Sequence, residues 1–188
     1  PGFQDPARPR PVVSTFNPTL DPKASTGQAF RNSLFDLTVD AGAGNPGAVG
    51  LHYLNNNQGT VRNVTVRSGD PDRRGKAGVA LVTNWPGPAL FDRVRVEGFD
   101  LGVWSTISQY GVVFDRLELT GQREAGLLNT AQTLAVRRLK SDNRVPAVRT
   151  SGTASVVTLL DADLRGGAGG AAIEATGGAA VTAFNLAT

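Results

Sequence analysis

The sequence has no cysteine and no methionine, a single histidine, and only 6% aromatic residues. Without cysteine there is neither a disulfide framework nor a thiolate metal site. One histidine, His52, excludes a two-histidine metal centre. A Ser–His–Asp triad would have to use that residue, and no nucleophile-elbow sequence accompanies it. No run of about 18 apolar residues is present to span a bilayer, and no signal peptide opens the chain. The missing methionine means no initiator, so the chain is expected to be processed or cut from a longer protein. Neither sign of charge dominates. The net charge is +3 and the pI about 9.8, with arginine supplying most of the positive charge. That is a mixed surface with a mild basic bias, without the aromatic-plus-basic motif of a nucleic-acid module. Neither nucleic acid nor membrane is expected as a partner.

What is present points to strands. The 188 residues are enough for one domain with a core, and 40% are apolar, too many for a disordered chain. Twenty-three glycines punctuate the sequence, and no Ala/Glu/Lys/Leu run holds a helical period. Residues 1–29 differ from the rest. Pro1, Pro6, Pro9, Pro11, Pro18 and Pro22 interrupt any regular element, and Val12-Val13 is the one short apolar pair before Phe16. This segment is read as an extended arm that lies along the domain or covers one end, with a disordered tail as the alternative. Residues 30–188 form the domain proper.

From residue 30 a frame recurs: apolar-x-x-apolar-x-apolar. It falls at Leu34/Leu37/Val39, Val61/Val64/Val66, Phe91/Val94/Val96 and Phe114/Leu117/Leu119, then at Val136/Leu139/Ser141, Leu159/Ala162/Leu164 and Val181/Phe184/Leu186. The last positions step by 27, 30, 23, 22, 23 and 22 residues. Such a period denotes a solenoid, and Val, Leu and Phe bounded by Gly, Asn and Asp denote strands. A second strand precedes each later copy, marked by a small residue before an apolar one: Gly50-Leu51, Gly78-Val79, Gly102-Val103, Gly126-Leu127, Ala147-Val148, Ala172-Ile173. A coil of that length has no room for an ordinary helix, and the leucine-rich-repeat consensus is absent. The expected fold is an all-β parallel β-helix of about seven coils, each strand bonded to its equivalents about 4.8 Å above and below.

The register predicts the surface. Outward positions along the frame are Thr38, Thr65, Arg95, Glu118, Lys140, Asp163 and Asn185, flanked by Asp40, Arg67, Glu97, Thr120, Asp142 and Arg165. Signs alternate up the stack, so most of these charges are assigned to structure. Arg93, Arg116 and Arg138 break the alternation. Stacked guanidiniums need anions between them. Asp92, Asp115 and Asp161 are the candidate partners, and an acidic polysaccharide is the competing explanation. The preceding strand presents His52, Ala80, Trp104, Leu128, Arg149 and Glu174, where an exposed Trp suits stacking on a sugar ring. Asp100 and Glu124 lie just before that strand, 24 residues apart and so on adjacent coils. Two stacked carboxylates suit general acid, base or nucleophile work, and two solvated turn residues are the plainer alternative. The longest loop, residues 68–76, is polar and charged, as a functional projection from a solenoid often is. Gly42-Ala43-Gly44-Asn45-Pro46-Gly47 fits the dinucleotide fingerprint, yet a strand follows it where a helix is required.

Four segments, GNPGAVGL (44–51), NQGTVRNVTVRSGD (57–70), GFDLGV (98–103) and GQREAGLLN (121–129), resemble bacterial proteins of the pectate-lyase superfamily described as related to family 28 glycoside hydrolases. The likeness covers about residues 28–165. It implies a right-handed parallel β-helix and an extracellular or cell-surface setting with a polysaccharide partner. Family 28 enzymes carry Gly-Asp-Asp on one coil and Gly-His-Gly on the next. Glu124-Ala125-Gly126 takes the first place, no histidine follows, and Asp100 roughly matches the acid of the preceding coil. Pectate lyases use an arginine base and carboxylate-bound Ca2+, which would fall here on Asp70, Asp72, Arg73 and Arg74; otherwise no cofactor is implied. The Asp-rich first coil and capping helix of such proteins are absent.

The functional expectation is a β-helix domain of a carbohydrate-active protein, hydrolase or lyase in type. Asp100 and Glu124 would be catalytic, and His52, Trp104, Arg149, Arg93, Arg116 and Arg138 would bind substrate, with no metal ligand assigned. The alternative is a non-catalytic glycan-binding or structural module. A well-patterned strand ending at Thr188 leaves an open coil, so truncation or end-to-end association of copies is also expected.

Overall fold

The structure, a computed structural model, describes residues 2–17, 29–165 and 170–188. Its strands are, in order, β1 (Arg10–Ser14), β2 (Ser33–Asp40), β3 (Ala48–His52), β4 (Gly59–Arg67), β5 (Ala77–Leu81), β6 (Ala89–Glu97), β7 (Leu101–Ser105) and β8 (Val112–Thr120). They continue with β9 (Ala125–Asn129), β10 (Thr133–Arg137), β11 (Lys140–Asp142), β12 (Val148–Ser151), β13 (Val156–Asp163), β14 (Ile173–Thr176) and β15 (Ala180–Ala187). There is no helix among the described residues. Short strands stack as β1-β3-β5-β7-β9-β12-β14, and long strands as β2-β4-β6-β8, then β10 and β11, β13 and β15, all in parallel. The fold is therefore a parallel β-solenoid. Seven short strands and seven levels of long strand, β10 and β11 sharing one level, make about six full turns, in keeping with the about seven coils expected.

The apolar frame fills the lumen. Val61, Phe91, Phe114, Val136 and Leu159 are in register and buried. The Phe91 and Phe114 rings stack with centroids 4.7 Å apart, and Tyr53 meets Phe91 edge-on at 5.1 Å. On the short-strand side the small residues before the apolar ones let the coils approach. A Cβ placed on Gly50, Gly78 or Gly102 would meet both a lumen side chain and the next coil's carbonyl.

Between the first and second apolar-frame residues the backbone turns a corner in the left-handed region. Asp36, Asn63, Arg93, Arg116, Arg138, Asp161 and Asn185 all have φ of 53–56°. Asn and Asp tolerate this conformation; arginine does so at roughly 1–2 kcal/mol. This corner corrects the expected last coil. Leu159 pairs with Ala183 and Ala162 with Leu186, so Val181 belongs opposite Val157, and Phe184 faces outward, 59% exposed. The apolar letters at Val181 and Phe184 mimic the frame two residues early, but the left-handed corner takes Asn185. The outward ladder thus ends at Ala187, opposite Asp163, and Asn185 instead donates to Asp161 at 2.7 Å.

The rest of the outward ladder stacks in the expected register: Thr38, Thr65, Arg95, Glu118, Lys140, Asp163. Arg95 reaches Glu118 at 2.8 Å, and Arg67 reaches Asp40 at 2.8 Å. The described part of the N-terminal arm is ordered against the solenoid. β1 pairs with β3, Gly47 N–H donates to Phe3 O, and Thr15 Oγ1 donates to Leu54 O. Pro1, Pro18 and Pro22 lie outside the described residues.

Candidate functional site

Lys76, Asp100 and Glu124 each immediately precede a short strand, β5, β7 and β9 respectively. Stacking brings them onto three successive coils. Glu124 N–H donates to Asp100 O at 2.8 Å, and Leu101 N–H donates to Lys76 O at 3.2 Å. Both carboxylates have a cation. Arg123 Nη1 lies 3.0 Å from Asp100 Oδ1, and Lys76 Nζ lies 3.9 Å from Glu124 Oε2. The same ammonium sits 5.9 Å from the Trp104 ring centroid, within cation–π range. Trp104 and Leu128 pack on a buried outer cluster of Ala77, Ala80, Leu101 and Ala125, which gives the site a dry apolar floor.

The two carboxylates differ. The Asp100 side chain is 15% exposed and that of Glu124 50%. Burial pushes the Asp100 carboxyl above its ordinary value, and the Glu124 charge adds to that push; Arg123 and Lys76 oppose it. Two carboxyls in unlike surroundings are the arrangement that acid–base chemistry uses. Sequence reasoning brought together Asp100, Glu124 and Trp104 but missed Lys76 and Arg123. The signal for Lys76 was spacing: it stands 24 residues before Asp100, as Asp100 stands 24 before Glu124. Arg123 carried none, because its role depends on which way a flexible side chain reaches.

The other expected binding residues are placed apart from this cluster or are occupied. The sequence His52, Ala80, Trp104, Leu128, Arg149, Glu174 does stack as one row. At its lower end His52 is covered by the arm: the Phe16 ring meets it edge-on at 4.8 Å, and Nε2 is 3.0 Å from Thr83 Oγ1. Burial lowers its pKa to about 4, so it is neutral near pH 7. At the upper end Arg149 donates to Glu174 at 2.7 Å.

The arginine column lies on the other sheet, along a groove of about 600 Å3. Its charges are mostly answered from below. Arg116 Nε donates to Asp92 at 3.1 Å and Arg138 Nε to Asp115 at 2.8 Å, each one coil down. Arg93 shares Asp92 at 3.3 Å. Asp161 accepts from Asn185. This is the alternating ladder displaced by one residue, and it accounts for the apparent repulsion. An exposed pair contributes well under about 1 kcal/mol, while a left-handed arginine is strained. Arg138→Asn is therefore expected to leave the urea unfolding midpoint nearly unchanged, because asparagine recovers at the corner what the ion pair loses.

The loop of residues 68–76 is tied down by one carboxylate. Asp70, buried, accepts from Gly44 N–H at 2.9 Å, from Asp72 N–H at 2.8 Å and from Arg74 Nε at 3.3 Å. The Gly44 amide is the main reason its carboxyl titrates below the usual range. Arg74 also takes Asp72 at 2.7 Å. A guanidinium thus stands between the two carboxylates where a calcium ion would have to sit, and these residues do not fit a Ca2+ site.

No protein-family model, curated protein or solved structure matches the chain.

Proposed function

We propose that this β-solenoid acts on an extracellular polysaccharide laid across the short-strand face, with Asp100 as proton donor and Glu124 as its partner. The observation that carries the reading is the pair itself: two carboxylates on adjacent coils, one largely covered and pushed above its ordinary value by burial, the other half exposed. Trp104 beside them offers a flat apolar surface to a pyranose ring. Lys76 and Arg123 supply charge for the leaving oxygen or for a carboxylate on the sugar. The resemblance to pectate-lyase-type proteins supports the substrate class.

A second reading is a non-catalytic glycan-binding module. The ion pairing of both carboxylates, Asp100 with Arg123 and Glu124 with Lys76, favours it. One experiment separates the two. The protein is incubated with a panel of neutral and acidic polysaccharides, and products are followed as new reducing ends and as ultraviolet-absorbing unsaturated sugars. Turnover is expected to fall about 10²–10⁴-fold in Asp100→Asn, the usual contribution of a positioned acid, and comparably in Glu124→Gln. Wild-type turnover in Asp100→Asn removes it as the acid. Binding that depends on Trp104 with no turnover on any glycan establishes the second reading.

A further inference from the structure

Arg73 is held in an unusual way. Its backbone is left-handed, with φ 58°, and is pinned on both sides: its N–H donates to Asp70 O and its carbonyl accepts from Phe99 N–H, both at 2.8 Å. Its Cα and Cβ rest on Gly98, and its guanidinium lies on Gly121. A Cβ at Gly98 would come within 3.2 Å of Arg73 Cβ, and one at Gly121 within 1.9 Å of its Nη1. Both glycines have positive φ, and their missing side chains are what leave the arginine its bed. The buried Asp70 carboxylate therefore serves a loop whose rigid product is one guanidinium laid across the next two coils.

That guanidinium has no carboxylate within ion-pair distance among the described residues, and the same holds for Arg144. The two, with Arg123, line a groove of about 540 Å3 whose floor includes Gly121 and Asn143. Asp142 is the single carboxylate in the lining. Arg67, Arg95, Arg116, Arg138 and Arg149, by contrast, each meet a carboxylate one coil away. The floor is fixed: Gln122 Nε2 donates to Gly98 O at 2.9 Å and to Thr120 O at 3.1 Å, and Asn143 Oδ1 accepts from Gln122 N–H at 2.7 Å. Arg123 links the groove to the carboxylate pair through Asp100.

We infer that Arg73, Arg123 and Arg144 form an oxyanion-binding site, which takes a carboxylate or sulfate group carried on the glycan beside the Asp100–Glu124 pair. Planar guanidiniums in a fixed arrangement recognise such groups through paired N–H donors, and here Arg73 is positioned before the ligand arrives. That the oxyanion rides on a glycan rests on the proposed function; the oxyanion site itself does not.

The test is binding, not turnover, so its failure is distinguishable from failure of the catalytic assignment. Isothermal titration uses the full chain with inorganic sulfate, an oligogalacturonate, dextran sulfate and neutral dextran. Sulfate and at least one charged glycan are expected to bind, and dextran is not. Arg73→Ala and Arg144→Ala are each expected to weaken anion binding about tenfold or more, a charge-assisted hydrogen-bond loss. Arg137→Ala, exposed and outside the groove, is expected to leave it unchanged. Circular dichroism confirms that each variant is folded, and Arg73→Lys, which keeps the charge but not the fork, is expected to recover only part of the affinity. Tighter binding of oligogalacturonate or of dextran sulfate assigns the group as carboxylate or sulfate. Absence of binding to all three anions overturns the site. So does an affinity unaffected by Arg73→Ala, or one lowered equally by Arg137→Ala, which would mark unspecific attraction.

Discussion

Gly102→Ala is expected to lower folding stability by about 3 kcal/mol, the upper end of the usual range for overpacking. The added Cβ would stand 2.5 Å from Gly126 O and 2.8 Å from Leu119 Cδ2. The leucine end can swing, but the carbonyl belongs to the next coil. It yields only if β9 moves away from β7, which breaks the ladder pairing Leu101 with Ala125 and Val103 with Leu127. The glycines below are placed alike: Gly78 faces Val96 Cγ1 at 2.2 Å and Gly102 O at 3.0 Å. On the coil above, a Cβ on Gly126 would stand 2.6 Å from Ala147 O, and only beyond it does the row pass to Ala147 and Ala172. Urea unfolding measures the effect. Gly170→Ala is the control, since no described residue lies within 4 Å of a Cβ there, and its change is expected to stay within about 0.5 kcal/mol. Equal midpoints for Gly102→Ala and wild type would show that coil spacing adjusts without cost.

Acidification from about pH 6.5 to about pH 4 is expected to remove up to about 3 kcal/mol of stability through His52 alone. The sign follows from burial. In the folded protein the imidazole stays neutral down to about pH 4, while in the unfolded chain it takes a proton below its ordinary 6.5. The unfolded state therefore binds more protons across that window, and stability falls as pH drops, levelling where the folded form also titrates. His52→Gln is expected to flatten this part of the profile. The lowered carboxyls of Asp5, Asp40, Asp70, Asp115 and Asp163 act mainly below 3.8, and what they lose near pH 4 is common to both proteins. Asp100 is raised and works in the opposite direction, but it is common to both proteins, so their difference isolates His52. An unchanged profile in His52→Gln would mean that the imidazole is solvated and that Phe16 does not cover it. The arm is thereby tested as well, because Phe16 and Thr83 are what keep water from the ring.

Much of the fold was legible because a solenoid writes its contacts into the sequence as a period. A residue's neighbours are its equivalents one coil away, so aligning the repeats amounts to listing the contacts. The frame from Leu34 to Leu164, the Arg95–Glu118 pair and the His52-to-Glu174 row all follow from this. The last coil shows the limit. Val181 and Phe184 are apolar at the right spacing, yet the left-handed corner selects Asn185, and a shift of two residues keeps the alternation of faces while changing every partner. A backbone requirement decided what the hydrophobic pattern left degenerate.

The candidate site divides in the same way. That Asp100 and Glu124 share a face, with Trp104 near them, was determined by the sequence alone, because period and strand alternation place them there. That Lys76 and Arg123 join them, that Asp100 is the more buried of the pair, and that Arg116 and Arg138 are neutralised from the coil below were decided only by tertiary structure. Side-chain reach and burial are not periodic quantities. The Arg73 loop is the clearest instance. It lies in the longest insertion, where the repeat lapses and alignment of coils says nothing. Its position depends on a buried carboxylate, two left-handed glycines and one backbone amide, brought together from three separate stretches of chain.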